Sequence, residues 1–191
     1  MVNIQIKIPN WLDKVCAWPV VTYRQRKYGY GFRKIYLDEE IYTIVEPEDY
    51  YYLKQFNWHL YGNNHKYYAR CEIRTGRTKT KTTAMHRMLT NAPKGVLVDH
   101  KNGDSLDNRR ENLRFATHQQ NMHNSRKQAN CTSKYLGVSW HKSRKKWRAT
   151  LNCNKKCVLR KYFDSETEAA KAHDEAAKIY HGEFARLNFP E

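Results

Sequence analysis

Over most of this chain, short apolar runs alternate with polar turns, a pattern of strands rather than long helices. Asn3 to Pro9 alternates like an edge strand, and Ile41 to Val45 suits a second strand. Glu46-Pro47-Glu48-Asp49 opens a short helix over Tyr51 to Phe56, with proline early and carboxylates where the helix dipole favours them. Trp58 and Tyr61 begin another strand; Tyr67 to Ile73 and Lys79 to Ala84 are two more, separated by a turn at Thr75-Gly76. Val96-Leu97-Val98 predicts a short strand, Asn102-Gly103 a tight turn, and Leu113 to Ala116 a returning strand. Thr117 is suited to cap a helix, and 118 to 127 contains neither Pro nor Gly. Near the end, "KYLGVSWHK", "KKWRATLNCN" and "KKCVLRKYFD" read as three strands separated by basic turns. A helix follows, with Ser165 and Glu168 as a capping box, a face of Ala169, Ala170, Ala172, His173, Ala176, Ala177 and Tyr180, and Gly182 as its C-cap. The expected fold class is α+β: a small β-rich N-terminal segment, a strand–loop–strand–helix core, and a three-stranded antiparallel sheet packed on one helix.

Charge turns this layout towards a partner. The chain of 191 residues carries a formal net charge of +16, which makes acidic polymers the natural ligands and nucleic acid the first of them. Residues 1 to 35 are basic, and Tyr23 to Phe32, "YRQRKYGYGF", interleaves aromatics with cations in a way that suits base stacking or phosphate contact, or else a basic arm or an ordinary strand. From Leu113 to Phe163 there is no Asp or Glu, while Arg114, Arg126, Lys127, Lys134 and nine further cations fall in the same span. Residues 124 to 133, "NSRKQANCTS", lack an apolar period and read as a linker. No run approaches the roughly 18 apolar residues of a spanning helix, and the N-terminus lacks a signal-peptide core, so the expected location is the cytoplasm. The five cysteines are odd in number and form no Cys-x-x-Cys pair, which points to reduced structural thiols.

The chemistry concentrates after the Val96 strand. Asp99 and His100 end that strand, Asn112 falls in the loop, and Asn121 lies one turn into the helix. Carboxylate and carboxamide oxygens are hard donors suited to Mg²⁺ or Mn²⁺. A neighbouring imidazole, with an ordinary pKa of about 6.5, can take a proton from water near neutrality. These are the parts of a metal-assisted phosphodiesterase. His86 in "MHRML" reads as a packing residue, Arg87 as a candidate phosphate contact, and His118 and His123 as secondary candidates for DNA contact.

"VDHKNGDSLDNRRENLRFATHQQN" resembles the HNH nucleases of the His-Me finger, ββα-metal group, and most nearly the branch found in phage and intron-encoded homing endonucleases. The intervals of 12 positions from His100 to Asn112 and 9 from Asn112 to Asn121 fit that branch, as does "MHRML" before the motif. The resemblance implies His100 as general base, Asp99 and Asn121 as holders of one divalent metal, Mg²⁺ or Mn²⁺, and Asn112 as brace of the loop.

The segment from 134 to 190 resembles the plant ethylene-responsive-factor (APETALA) type of DNA-binding domain, through "YLGV", Trp147 followed by Ala149, "YFDSETEAAKAHDEAA" and "LNFP". In that family a three-stranded sheet enters the major groove. The resemblance implies groove-facing residues among Gly137, Ser139, His141, Lys142, Arg144, Lys146, Arg148, Thr150 and Asn152. Leu136 and Ser139 stand where the plant pattern has arginines, so base preference does not carry over.

The resulting expectation has four parts: an N-terminal basic and aromatic segment over 1–80, an HNH core over 81–124, a basic linker over 125–133, and a DNA-binding domain over 134–191. The expected function is a site-directed, metal-dependent endonuclease acting on double-stranded DNA, encoded by a phage and working in a bacterial cytoplasm. No heptad argues for a dimer, so a monomer is expected. The rival readings are a sequence-specific DNA-binding regulator with an inactive HNH scaffold and a defence nuclease of restriction type.

Overall fold

A computed structural model describes residues 9–63, 66–124 and 132–190. The expected edge strand at Asn3 to Pro9, all but Pro9, and most of the linker at 124 to 133 lie outside the described residues. The mixed α and β content matches the α+β expectation, and the chain divides into two compact units, Met1–Lys94 with Asp104–Arg114, and Gly95–Gly103 with Phe115–Glu191.

The first unit opens with a helix that hydropathy did not reveal. α1 spans Asn10–Tyr28, against the expectation of an arm or strand through Tyr23 to Phe32. It ends at Gly29, which adopts the left-handed conformation (φ 81°) and donates its amide to the Gln25 carbonyl at 3.0 Å. None of its side chains is buried, and Trp11, Val15 and Trp18, spaced at i, i+4 and i+7, are exposed, so the helix buries no apolar stripe. Pro19 inside the helix also argues against it in sequence. Asp13 in the first turn holds α1 to its unit by pairing with Arg33 (3.3 Å) and Lys54 (3.6 Å).

β1 (Arg33–Tyr36) and β2 (Tyr42–Val45) form an antiparallel hairpin, followed by α2 (Pro47–Leu53). β3 (His59–Asn63), β4 (Lys66–Arg74) and β5 (Thr80–Ala84) make an antiparallel sheet in that order, and α3 (Met85–Thr90) follows. The core is built from Ile35, Val45, Leu53, Trp58, Ala69, Cys71, Met85 and Leu89, with the Trp58 indole N–H satisfied by the Leu53 carbonyl at 2.7 Å. Burial pushes the Cys71 thiol up from its ordinary pKa, in keeping with a structural cysteine.

β6 (Leu97–His100) and β7 (Leu113–Ala116) form a two-stranded sheet, and α4 (His118–His123) follows β7. Thr117 caps α4 with a full capping box: its hydroxyl accepts from the Gln120 amide, and the Gln120 side chain accepts from the Thr117 amide. α4 has Asn124 as its C-cap, and the 125–127 part of the 118–127 expectation lies outside the described residues.

In the same unit, β8 (Val138–His141), β9 (Lys146–Cys153) and β10 (Lys156–Phe163) form the expected antiparallel sheet, with α5 (Glu166–His181) across one face. Val138, Ala149, Leu151 and Leu159 meet Ala169, Ala170, Ala176 and Ala177 of α5. The alanines bring helix and sheet close together. Ser165 accepts from the Glu168 amide, which supplies half of the expected box. Gly137 has φ +72°, and a Cβ there would lie 2.1 Å from Cδ2 of His173 and 2.9 Å from the Thr150 carbonyl oxygen, so only glycine fits. Asp174 accepts from the Asn188 amide (2.8 Å), the Asn188 side chain (2.9 Å) and the Phe189 amide (2.9 Å), fastening the "LNFP" tail to α5.

Candidate active site and outer face of the C-terminal sheet

The residues expected to carry chemistry fall in both units. Asp99 and His100 are consecutive on β6, and each is about one-twentieth exposed at 5%. The β6 chain turns immediately: the Gly103 amide donates to the His100 carbonyl at 2.8 Å, with Gly103 at φ 71°. That is the turn expected at Asn102-Gly103, and the positive φ explains the glycine.

α4 reaches Asp99 through a residue that the motif did not include. Nδ2 of Asn124 lies 3.1 and 3.0 Å from the two carboxylate oxygens of Asp99 and 2.8 Å from the His100 carbonyl. One amide group thereby fixes both the carboxylate and the backbone that carries the histidine. Asn121, half-buried, lies one helical turn before Asn124 and so on the same face of α4. The available signal for Asn124 was this three-residue interval.

Asn112 closes a 3₁₀ turn, Arg110–Asn112, in the first unit and is buried. Its Nδ2 donates to the Asp107 carbonyl at 2.8 Å, and its amide donates to the Arg109 carbonyl at 2.9 Å. The side chain is committed to the conformation of its own loop. His86 packs its ring 5.5 Å from Tyr68, as the packing expectation had it. Arg87 donates to the Ala92 and Pro93 carbonyls at 3.1 and 2.8 Å, closing the end of α3.

The C-terminal sheet turns a polar face away from α5. Register pairs Ser139 with Arg148 and Arg148 with Tyr162, His141 with Lys146, and Thr150 with Arg160. Alternation therefore puts Ser139, His141, Lys146, Arg148, Thr150 and Asn152 on the outer face, in phase with Arg160 and Tyr162 of β10. The last two were missing from the sequence expectation, although β10 alternates in step with β9. Arg148 donates to the Ser139 hydroxyl at 3.3 and 3.1 Å, and Arg144 from the β8–β9 turn stacks 4.4 Å from the Tyr162 ring. Lys142 lies in that turn as well. Lys146 is paired with Asp164 at 3.0 Å. Gly137 instead faces α5, against His173.

Among the described residues, no cluster of three or more His, Cys, Asp or Glu forms a metal cage, and no helix is long and apolar enough to cross a membrane. The four described cysteines are free.

Comparison with known proteins locates the same segment. The family model for HNH endonuclease matches residues 88–123. Protein 3.8 of Escherichia phage T7 is 33% identical over 95 residues, covering 50% of this chain and 78% of that protein. No solved structure matches the chain. The matched span runs from the end of α3 through β6, the turn, β7 and α4, and so contains Asp99, His100, Asn112 and Asn121: the chain belongs to the HNH endonuclease family.

Proposed function

We propose that this protein is a divalent-metal-dependent endonuclease that hydrolyses phosphodiester bonds of double-stranded DNA, with residues 81–124 as its cutting core and 134–191 as its site-selecting domain. The observation that carries the reading is the Asp99–Asn124 clamp, in which the residue just past the end of the matched segment anchors a buried carboxylate within it, beside a histidine at a strand end. The outer face of the C-terminal sheet supports site direction, as in a homing endonuclease. Similarity to a phage protein supports a phage origin and action in a bacterial cytoplasm.

The donors suit Mg²⁺ or Mn²⁺. Asp99 contributes a carboxylate, and Asn121 a carboxamide from the face of α4 that Asn124 turns to Asp99. When bound there, the ion would polarise a phosphoryl oxygen and offset charge on the leaving oxygen. His100 takes a proton from the attacking water as the water oxygen bonds to phosphorus and the P–O3′ bond breaks. The departing O3′ takes a proton from solvent, leaving a 3′-hydroxyl and a 5′-phosphate. Asn112 holds the loop between β6 and β7. One such site per chain cuts one strand in each event, so a monomer nicks.

A supercoiled-plasmid assay tests this reading. Nicked product is expected with Mg²⁺ or Mn²⁺, none with EDTA, and a loss of about a hundredfold or more in His100→Ala, the range for removing a general base. Equal nicking by both proteins overturns the assignment of His100. Tight plasmid retention with no cutting in any divalent ion would instead make the chain a binding regulator on an HNH scaffold.

A further inference from the structure

The loop that carries Asn112 is not self-supporting. Leu106, Asp107 and Asn108 lie along β2 as a short parallel addition to the β1–β2 hairpin, bridging Ile44 with Asp107. The Ile44 amide donates to the Leu106 carbonyl at 3.0 Å, and the Asn108 amide donates to the Ile44 carbonyl at 2.9 Å. Thr43, fully buried, donates its hydroxyl to the Leu106 carbonyl at 2.6 Å and accepts from Nδ2 of Asn108 at 2.8 Å. Asp107, held between these bonds, is the residue whose carbonyl receives the Asn112 side chain.

Further fastenings surround this stitch. Arg109 makes a two-pronged pair with Asp107 at 2.9 and 2.8 Å, and its guanidinium stacks 3.4 Å from the Tyr30 ring. Arg110 makes a second two-pronged pair with Asp49 of α2, both bonds at 2.7 Å, and donates to the Leu89 carbonyl at 2.8 Å. Arg109 and Asp107 are almost wholly buried, where a two-pronged charged pair has the geometry to offset its desolvation.

From this geometry we infer that the N-terminal segment is a brace for the nuclease loop, with Thr43 and Asp49 as positioning residues that fix Asn112 through Asp107 and Arg110. The inference rests on the nuclease reading for its effect on rate, but the brace itself is a property of the loop. The Thr43 hydroxyl is its most specific element, because one oxygen both donates and accepts across the join. Thr43→Val keeps the shape and removes both side-chain bonds of the join, leaving the Leu106 carbonyl with the Ile44 amide and taking the hydroxyl acceptor from Nδ2 of Asn108.

The test uses the full chain. Thr43→Val is expected to lower the single-turnover nicking rate at saturating DNA about tenfold, leave the Kd for DNA within about twofold, and speed amide exchange at Asn108 and Asn112. Thr43→Ser restores both rate and protection. Asp49→Asn loosens Arg110 and gives a smaller loss of the same kind. A purely structural role would lower the fraction of active molecules and leave the rate per active molecule unchanged, a result that overturns the proposal. Loss of DNA affinity in step with rate also overturns it, making the segment a DNA contact. If the wild-type protein does not cut, amide exchange still decides: unchanged protection in Thr43→Val sinks the brace, and loosened protection upholds it while the nuclease reading falls.

Discussion

At Asn124 one amide nitrogen, with two hydrogens, faces three acceptors within 3.1 Å: both Asp99 oxygens and the His100 carbonyl. Sharing of that kind fixes a carboxylate better than a single bond, because rotation about the Asp99 side chain loses two contacts together. Groups that orient a metal-binding carboxylate typically change affinity or activity by about ten- to a hundredfold when removed. Asn124→Ala is therefore expected to raise the Mn²⁺ concentration for half-maximal nicking by about that factor. DNA affinity measured in EDTA should not change. Titration calorimetry of Mn²⁺ against the free protein gives a second readout, in which the same weakening is expected. A wild-type metal response in both measurements would leave Asn124 as a helix cap and nothing more.

At the scale of the element, the strands and helices set by local signals were legible in sequence. The strand, Asn-Gly turn, strand and Thr-capped helix around Asp99 and Asn121 depend on residues a few positions apart, and the structure has them in that order. α1 was not legible, because Pro19 stands inside it and its apolar residues face solvent rather than a core. The stitch of Leu106 to Thr43 spans 63 positions, and no short-range pattern encodes it. α5 shows a further consequence of packing that sequence leaves silent. His173 is buried against Gly137, and burial holds its pKa below the ordinary value despite the Asp174 carboxylate 3.2 Å away, with His181 adding a small push in the same direction. The folded state thus binds fewer protons at this site than the unfolded chain just below about pH 6.5, the ordinary imidazole value. Its contribution is fully present above that pH and is lost as pH falls. Urea midpoints of the full chain should decline from pH 7 towards pH 5, with a shallower decline in His173→Gln. Parallel declines in the two proteins would assign the acid sensitivity to other groups.

Across the whole molecule, the net charge of +16 and the absence of any carboxylate from Leu113 to Phe163 supply a long-range attraction for a polyanion, and the outer face of the C-terminal sheet is the surface proposed to receive it. Two cations on that face differ in a way that permits a sharp test. Lys146 is already paired with Asp164, whereas Arg148 is held by the neutral hydroxyl of Ser139 and keeps its full charge at the middle of the outer face. An arginine against a phosphate contributes about one unit to the slope of log K against log salt. Arg148→Gln should reduce that slope by about one and weaken binding alike on all sequences. Lys146→Gln should reduce it by less, because removing the lysine leaves Asp164 exposed to the backbone it had been screening. Asp164→Asn should then act in the opposite sense and strengthen binding at low salt. Filter binding or fluorescence anisotropy on one duplex at several salt concentrations measures all three. If Arg148→Gln leaves the slope unchanged while wild-type binding is steeply salt-dependent, the outer face of the sheet is not the DNA surface. The counterion release must then come from cations elsewhere in the chain.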